Sequence, residues 1–155
     1  MASLDVVQQT IHIERHIDSP ISTVWGAYSD AGSRSEWGVP AGEAMVYEHD
    51  DLRSGGQARH RCGDPDKLQF LVETDYFFVS PSEVVVQNER TWLGDQLLSV
   101  ALITWTFGGS HRETVVTVTA QVTSLVGQEM LDGTRNGHNI ALDQLAEFCG
   151  SDSRK

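Results

Sequence analysis

An arginine at position 15 sits among isoleucines. From Thr10 to Ile17, the residues Ile11, Ile13 and Ile17 alternate with His12, Glu14 and His16. A period of two predicts a strand with one buried face, and Arg15 falls on that apolar face. A buried guanidinium without an acceptor is costly, so Arg15 needs a partner. Two partners suit it. One is an acid such as Glu48, which shares a strand face with Ala44 and Val46. The other is a carboxylate or carbonyl of a ligand inside the fold. Failing both, its stem lies on apolar surface and its charge reaches the strand end. His60 alternates with Ala58 and Cys62 and is a second inward polar candidate. Its imidazole is either a satisfied core group or an acid–base group working near neutral pH. No acidic partner for it is fixed by spacing.

Large aromatic residues form the next group. Tyr76 shares a predicted strand face with Phe70, Val72, Thr74 and Phe78, and Trp25, Trp105 and Phe107 are further bulky candidates. Aromatic side chains facing a sheet interior either fill a core or line a pocket for an apolar ligand. The ligand-binding candidates are therefore Arg15, Trp25, Glu48, His60, Tyr76, Trp105 and Phe107, and no residue is assigned a catalytic role. Trp92 lies near a turn and suits a cavity mouth or an interface.

Other chemistries find no support. His12 and His16 would stand about 13 Å apart on a strand. There is no His-Glu-x-x-His and no Cys-x-x-Cys, so no metal or other cofactor is expected. Gly108-Gly109 has no following lysine, and Gly55-Gly56 opens a strand rather than a helix, which excludes a phosphate loop. No Gly-x-Ser-x-Gly elbow occurs. The formal charge of -11 opposes binding to nucleic-acid backbones and anionic lipid, and no apolar run is long enough for a membrane span. The two cysteines, Cys62 and Cys149, form no disulfide framework, and Met1 to Gln9 has no basic secretory n-region. Both points favour a cytoplasmic protein.

The elements that must position these residues follow from the same patterning. After the first strand, Asp18-Ser19-Pro20 is a break. A short helix is predicted over Thr23–Ser29 with Ser22 as N-cap, and another over Gly32–Trp37, stopped by Gly38-Val39-Pro40. Six strands follow: Ala44–Asp50, Gln57–Cys62, Leu68–Val79, Glu83–Glu89, Leu97–Phe107 and Glu113–Thr123. Their short connections favour antiparallel hairpins. From Asp132 to Cys149, Ile140, Ala141, Leu145 and Phe148 recur at helical spacing. The expected fold is α+β, with a sheet of seven antiparallel strands curled around a long C-terminal helix. The order is β-α-α-β6-α, in one domain over residues 1–155 with a core at 10–149. Such a sheet cannot leave its apolar face in water, and any space left against the helix becomes a cavity.

This order resembles the helix-grip fold of the START-like, birch-pollen-allergen-like superfamily. Ile13-Glu14-Arg15-His16-Ile17-Asp18-Ser19-Pro20 with Val24-Trp25 is similar to the opening of the domain in the C-terminal half of the Hsp90 ATPase activator and its small bacterial relatives. Trp37 stands where that family ends its second short helix with tryptophan. Leu52-Arg53-Ser54-Gly55-Gly56 resembles its Arg-x-Gly-Gly turn, and Gly137, Leu142 and Leu145 resemble its closing helix. His138 departs from the family, which often has tryptophan there, and the Gly108–His111 connection is short. The resemblance implies a pocket whose occupant must be argued separately.

Three functions compete. The first is binding of a small hydrophobic or aromatic molecule in a cavity above about 300 Å³ between sheet and C-terminal helix. The second is an enzyme, cyclase-like, dehydratase-like or hydrolase-like, with Arg15 and His60 meeting one ligand within about 3.2 Å. The third is a co-chaperone-like interaction module, which needs an exposed apolar patch. The strand Leu97–Phe107 is apolar on both faces (Leu98, Val100 and Leu102 against Ala101, Ile103 and Trp105), which leaves both a monomer and a homodimer open.

Overall fold

The computed structural model describes residues 4–153, with side chains to residue 150. Strand β1 (Val7–Ile17) leads into two short helices, α1 (Ile21–Ser29) and α2 (Ala31–Trp37). Six strands follow: β2 (Ala44–Asp50), β3 (Gln57–Gly63), β4 (Phe70–Ser80), β5 (Val84–Leu93), β6 (Gln96–Gly109) and β7 (Thr114–Ser124). Helix α3 (Gln128–Ser153) closes the chain. The sheet order is β1-β7-β6-β5-β4-β3-β2, and every pairing is antiparallel. Consecutive hairpins account for all pairings except β1 with β7, which brings the first strand beside the last.

Hydrocarbon decides one half of this fold. Ile11 and Ile17 of β1 and Val116 and Val118 of β7 are buried against Leu142 and Leu145 of α3 and Val24 of α1. Helix α3 lies chiefly against β1, β7, α1 and α2. The inner face of β3, β4 and β5 is therefore left with less cover, and there polar residues, His60, Thr74 and Gln87, stand among the apolar inward positions.

Local signals set the short helices. Pro20, rather than Ser22, caps α1: its carbonyl accepts from Thr23 and Val24, and a proline without an N–H suits a helix start. Asp30 caps α2 by accepting from the Ser33 amide at 2.9 Å. Gly38 ends α2 where the chain must pass close to β2. A Cβ there would lie 2.6 Å from the Arg34 carbonyl and 2.9 Å from Met45 Sδ.

Two expectations about faces need correction. Residues Tyr76 and Phe78 do not share a face, because the β4–β5 register shifts between them. The bulge turns Phe77 and Phe78 both outward, 54% and 52% exposed, while Tyr76 stays buried. The bulge lies beside the Arg53–Gly56 turn, whose Gly55 amide donates to the Tyr76 carbonyl and whose Gly56 carbonyl accepts from the Tyr76 amide. Gly55 has φ +84°, a conformation that favours glycine. On β6 the register shift opposite Thr91 and Trp92 falls at Leu98, which is buried beside Ser99, while Leu102 is 40% exposed, so Leu98 and Leu102 do not form one exposed apolar face.

Candidate functional site

Between the inner face of β2–β6 and helices α2 and α3 lies a cavity of about 450 Å³. Its apolar walls include Trp37, Met45, Phe70, Val72, Trp105 and Ala141. Helix α2 is only seven residues long, yet it places both Arg34 and Trp37 inward, because residues three apart share a helix face. Gln144 of α3 donates to the carbonyls of Trp37 and Val39, at 2.8 and 2.6 Å. That bond pair ties α3 to the end of α2 and sets one side of the cavity.

Arg34 is the centre of a closed polar cluster. Its Nε donates to the Tyr28 carbonyl at 2.6 Å, and one terminal nitrogen donates to the hydroxyls of Tyr47 and Tyr76 at 2.9 and 3.2 Å. The other terminal nitrogen meets Asp50 at 2.7 Å, and Tyr76 donates its own hydroxyl to Asp50 at 2.7 Å. The guanidinium also stands over the Tyr47 ring, 4.9 Å from its centroid. Arg34 and Asp50 are both largely buried, so this pair is stable only because its remaining polar atoms are satisfied. Burial, opposed by the Arg34 charge, pushes the Tyr47 hydroxyl up to about 12, so it stays protonated.

A second set of polar groups faces the cavity from β3, β5 and α3. Tyr28 donates to Gln87 Oε1 at 3.2 Å, and Glu89 follows Gln87 on the same inward face of β5. Glu89 is partly buried and lines the cavity. Burial pushes its carboxyl up to about 7, against the pull of the neighbouring Gln87 amide and the Arg34 charge. No ion pair to Glu89 occurs among the described residues. His60 packs against the Tyr47 ring, and its Nδ1 is buried with no hydrogen-bond partner. Burial, with a smaller contribution from Arg34, lowers its pKa to about 4. His138 stands edge-on to Trp105 with ring centroids 6.4 Å apart, and burial lowers its pKa to about 4 as well. Burial raises the Cys62 thiol to about 11. At neutral pH both imidazoles are therefore neutral, and Cys62 is a thiol rather than a nucleophilic thiolate.

The structure brings His60, Tyr76 and Trp105 to the cavity wall. Trp25 and Phe107 lie behind it, stacked edge-to-face at 5.3 Å and packed on Tyr28. Arg15 and Glu48 do not belong to the cavity, and they do not pair. They stand on β1 and β2, the opposite edges of the sheet. Arg15 lies beneath α3, where it meets Asp143 at 3.2 Å and donates to Asn139 Oδ1 at 3.2 Å. Glu48 is on the outer face, bonded to Arg59 at 3.1 Å and Arg61 at 2.7 Å. The expectation that Arg15 and His60 converge on one ligand is thus overturned by the helix that covers β1.

Arg34, Tyr28, Tyr47, Asp50, Gln87 and Glu89 are site residues that pattern reading did not single out. Arg34 carried a signal, three residues before Trp37 in a predicted helix. So did Glu89, in step with Val85 and Gln87. That second signal was ambiguous, because the other face of β5 also opens with valines, Val84 and Val86. Among the described residues no three His, Cys, Asp or Glu side chains cluster closely enough to hold a metal ion, and no helix is long and apolar enough to cross a membrane.

A curled seven-stranded antiparallel sheet gripping a long C-terminal helix, with two short helices after the first strand, defines a START-like, helix-grip protein. Residues 18–150 match the family described as activator of Hsp90 ATPase homolog 1-like protein, and the chain belongs to that family. An uncharacterized protein of Rhizobium leguminosarum is 28% identical, with a TM-score of 0.84 over 97% of this chain and 99% of that one. The Mll3558 protein of Rhizobium loti is 23% identical, with a TM-score of 0.78 over 93% and 99% of the two chains. DynU16, from the dynemicin biosynthetic locus, shares the fold at 16% identity and a TM-score of 0.67, over 92% of this chain and 48% of that one. No curated protein matches the chain.

Proposed function

We propose that this protein binds a small, largely apolar or aromatic molecule in the cavity between its sheet and α3. The observation that carries the reading is the cavity itself: about 450 Å³, walled by Trp37, Phe70, Val72 and Trp105. Ligand sites span about 300–1,000 Å³ and combine apolar walls with a few polar groups that fix orientation. Here those polar groups are few and held from behind. Arg34 is locked by Tyr28, Tyr47, Tyr76 and Asp50, Gln87 accepts from Tyr28, and Glu89 lines the same wall. Two glycines of α3, Gly133 and Gly137, face the same space, where a Cβ would meet nothing within 4 Å.

The test is titration of the purified chain with N-phenyl-1-naphthylamine, an uncharged aromatic probe that fluoresces when it leaves water. Trp37 and Trp105 line the cavity, so a bound probe quenches tryptophan emission as its own emission rises. Saturable binding at one site per chain supports the proposal. Native mass spectrometry of protein purified from its own host then gives the mass of any retained molecule. No probe binding, together with no retained small molecule, refutes the reading.

A further inference from the structure

The chemical class of the occupant can be narrowed, and this step rests on the cavity being a binding site. We propose that the cavity selects an apolar or aromatic amine, whose ammonium group meets the carboxylate of Glu89 while its hydrocarbon lies against Trp37 and Trp105.

The charge inventory of the cavity leads there. Arg34 is the one cation among its lining residues, and it is already spent. Its guanidinium donates to a carbonyl, two phenol oxygens and the Asp50 carboxylate, and Asp50 cancels its charge at 2.7 Å. An anionic ligand would find no free cation. Glu89 is in the opposite position. It lines the cavity, and among the described residues it has no cationic partner within ion-pair distance. Glu43, also on the lining, adds negative charge. The remaining titratable groups on the wall, His60, His138, Cys62 and the tyrosines 28, 47 and 76, are uncharged at neutral pH. The aromatic faces of Trp37 and Trp105 favour a cation beside them over an anion. The overall charge of -11 steers cations toward the protein.

Burial leaves Glu89 with a proton for part of its population near neutrality, because an isolated carboxylate is poorly solvated there. An ammonium replaces that proton as the counter-charge. The exchange balances: the carboxylic acid and the ammonium ion become a carboxylate–ammonium pair and one released proton.

Three probes with one tail separate the alternatives: 3-phenylpropan-1-amine, 3-phenylpropan-1-ol and 3-phenylpropanoate. Each is titrated calorimetrically into the full chain at about pH 6, in buffers of different ionisation enthalpy, which report protons released. The amine is expected to bind at least about tenfold more tightly than the alcohol, with the acid weakest. Its binding should release protons, and that of the alcohol should not. Glu89→Gln, which keeps the shape, should cost the amine about tenfold or more, abolish proton release and leave the alcohol within about twofold. If Glu89→Gln does not fold, the ranking and proton release in the parent chain decide the matter. Acid bound as tightly as amine, or an amine preference unchanged in Glu89→Gln, overturns the proposal. Failure of all three probes while N-phenyl-1-naphthylamine still binds overturns the amine assignment alone. Failure of that uncharged probe as well overturns the binding reading beneath it.

Discussion

Gly137 offers a direct test of whether the space beneath α3 is open. It stands in the helix interior and lines the cavity together with Gly133, one turn earlier. A Cβ built at either position meets nothing within 4 Å. Helical glycine costs about 1 kcal/mol relative to alanine, chiefly through backbone entropy. Because the added methyl meets no wall, Gly137→Ala should gain about 1 kcal/mol, seen as a rise of about 2–4 °C in the thermal midpoint for a chain of this length. Gly137→Leu keeps most of that propensity gain and sends a larger branch into the cavity. Its midpoint should therefore equal or exceed that of the parent, while its affinity for N-phenyl-1-naphthylamine falls by about tenfold or more. Differential scanning calorimetry and probe titration measure the two quantities on the same samples. A stabilised Leu variant that has lost its ligand cannot be explained as a damaged fold. A Gly137→Ala variant destabilised by about 1 kcal/mol or more would mean that the space is filled, and would refute the reasoning. A Leu variant with full affinity would place the probe elsewhere.

Other perturbations separate the buried cluster from the surface charges. Asp50→Asn leaves the Arg34 guanidinium buried without its counter-charge and should cost about 3–5 kcal/mol in urea denaturation, whereas the double variant Arg34→Met/Asp50→Leu should recover much of that loss. A single-variant loss below about 1 kcal/mol would show that the pair is not desolvated as described. Glu48→Gln should leave the urea midpoint close to that of the parent, since its pairs with Arg59 and Arg61 lie in solvent; a midpoint lowered as far as that of Asp50→Asn would contradict its outer-face position. Stability should also fall as pH drops from 6.5 toward about 4, because the unfolded chain protonates His60 and His138 in that window and the folded chain does not. Glu89 opposes this: its raised pKa gives a contribution that is full below 4.5 and lost as pH rises through about 7. Exposed His16, held up by Glu113, adds a small contribution of the same sign as that of Glu89. Two buried histidines outweigh these, so His138→Phe should flatten the acid limb and Glu89→Gln should steepen it. An acid limb unchanged in His138→Phe would refute the neutral, buried state of that imidazole.

The halves of this fold were unequally legible in the sequence, and the reason is physical. On β1 and β7 most inward positions pack on hydrocarbon, so Ile11, Ile13, Val116 and Val118 alternate cleanly with polar residues, and the alternation gives the strands and their faces directly. On β3–β5 the inward positions border the cavity. His60, Thr74, Gln87 and Glu89 face inward there, while Arg59, Glu73, Asp75 and Arg90 form ion pairs on the outer face. Polar residues on both faces remove the contrast that periodicity depends on. Arg15 shows the converse. Alternation gives its face, but its partner, Asp143, belongs to a helix that packs there only in the finished fold. The bulge after Tyr76 reverses the direction of Phe78, a change that strict alternation cannot carry. A binding site of this kind is therefore harder to read than the scaffold around it, because the polar inward residues that give the cavity its chemistry are the ones that erase the pattern. What survives is mismatch: a charged residue three positions from a tryptophan in a short helix, or a glutamate in step with a buried valine. In this chain those two mismatches, Arg34 and Glu89, mark a neutralised cation and an unpaired acid. The difference between them is the basis for the proposed preference of the cavity for a positively charged occupant.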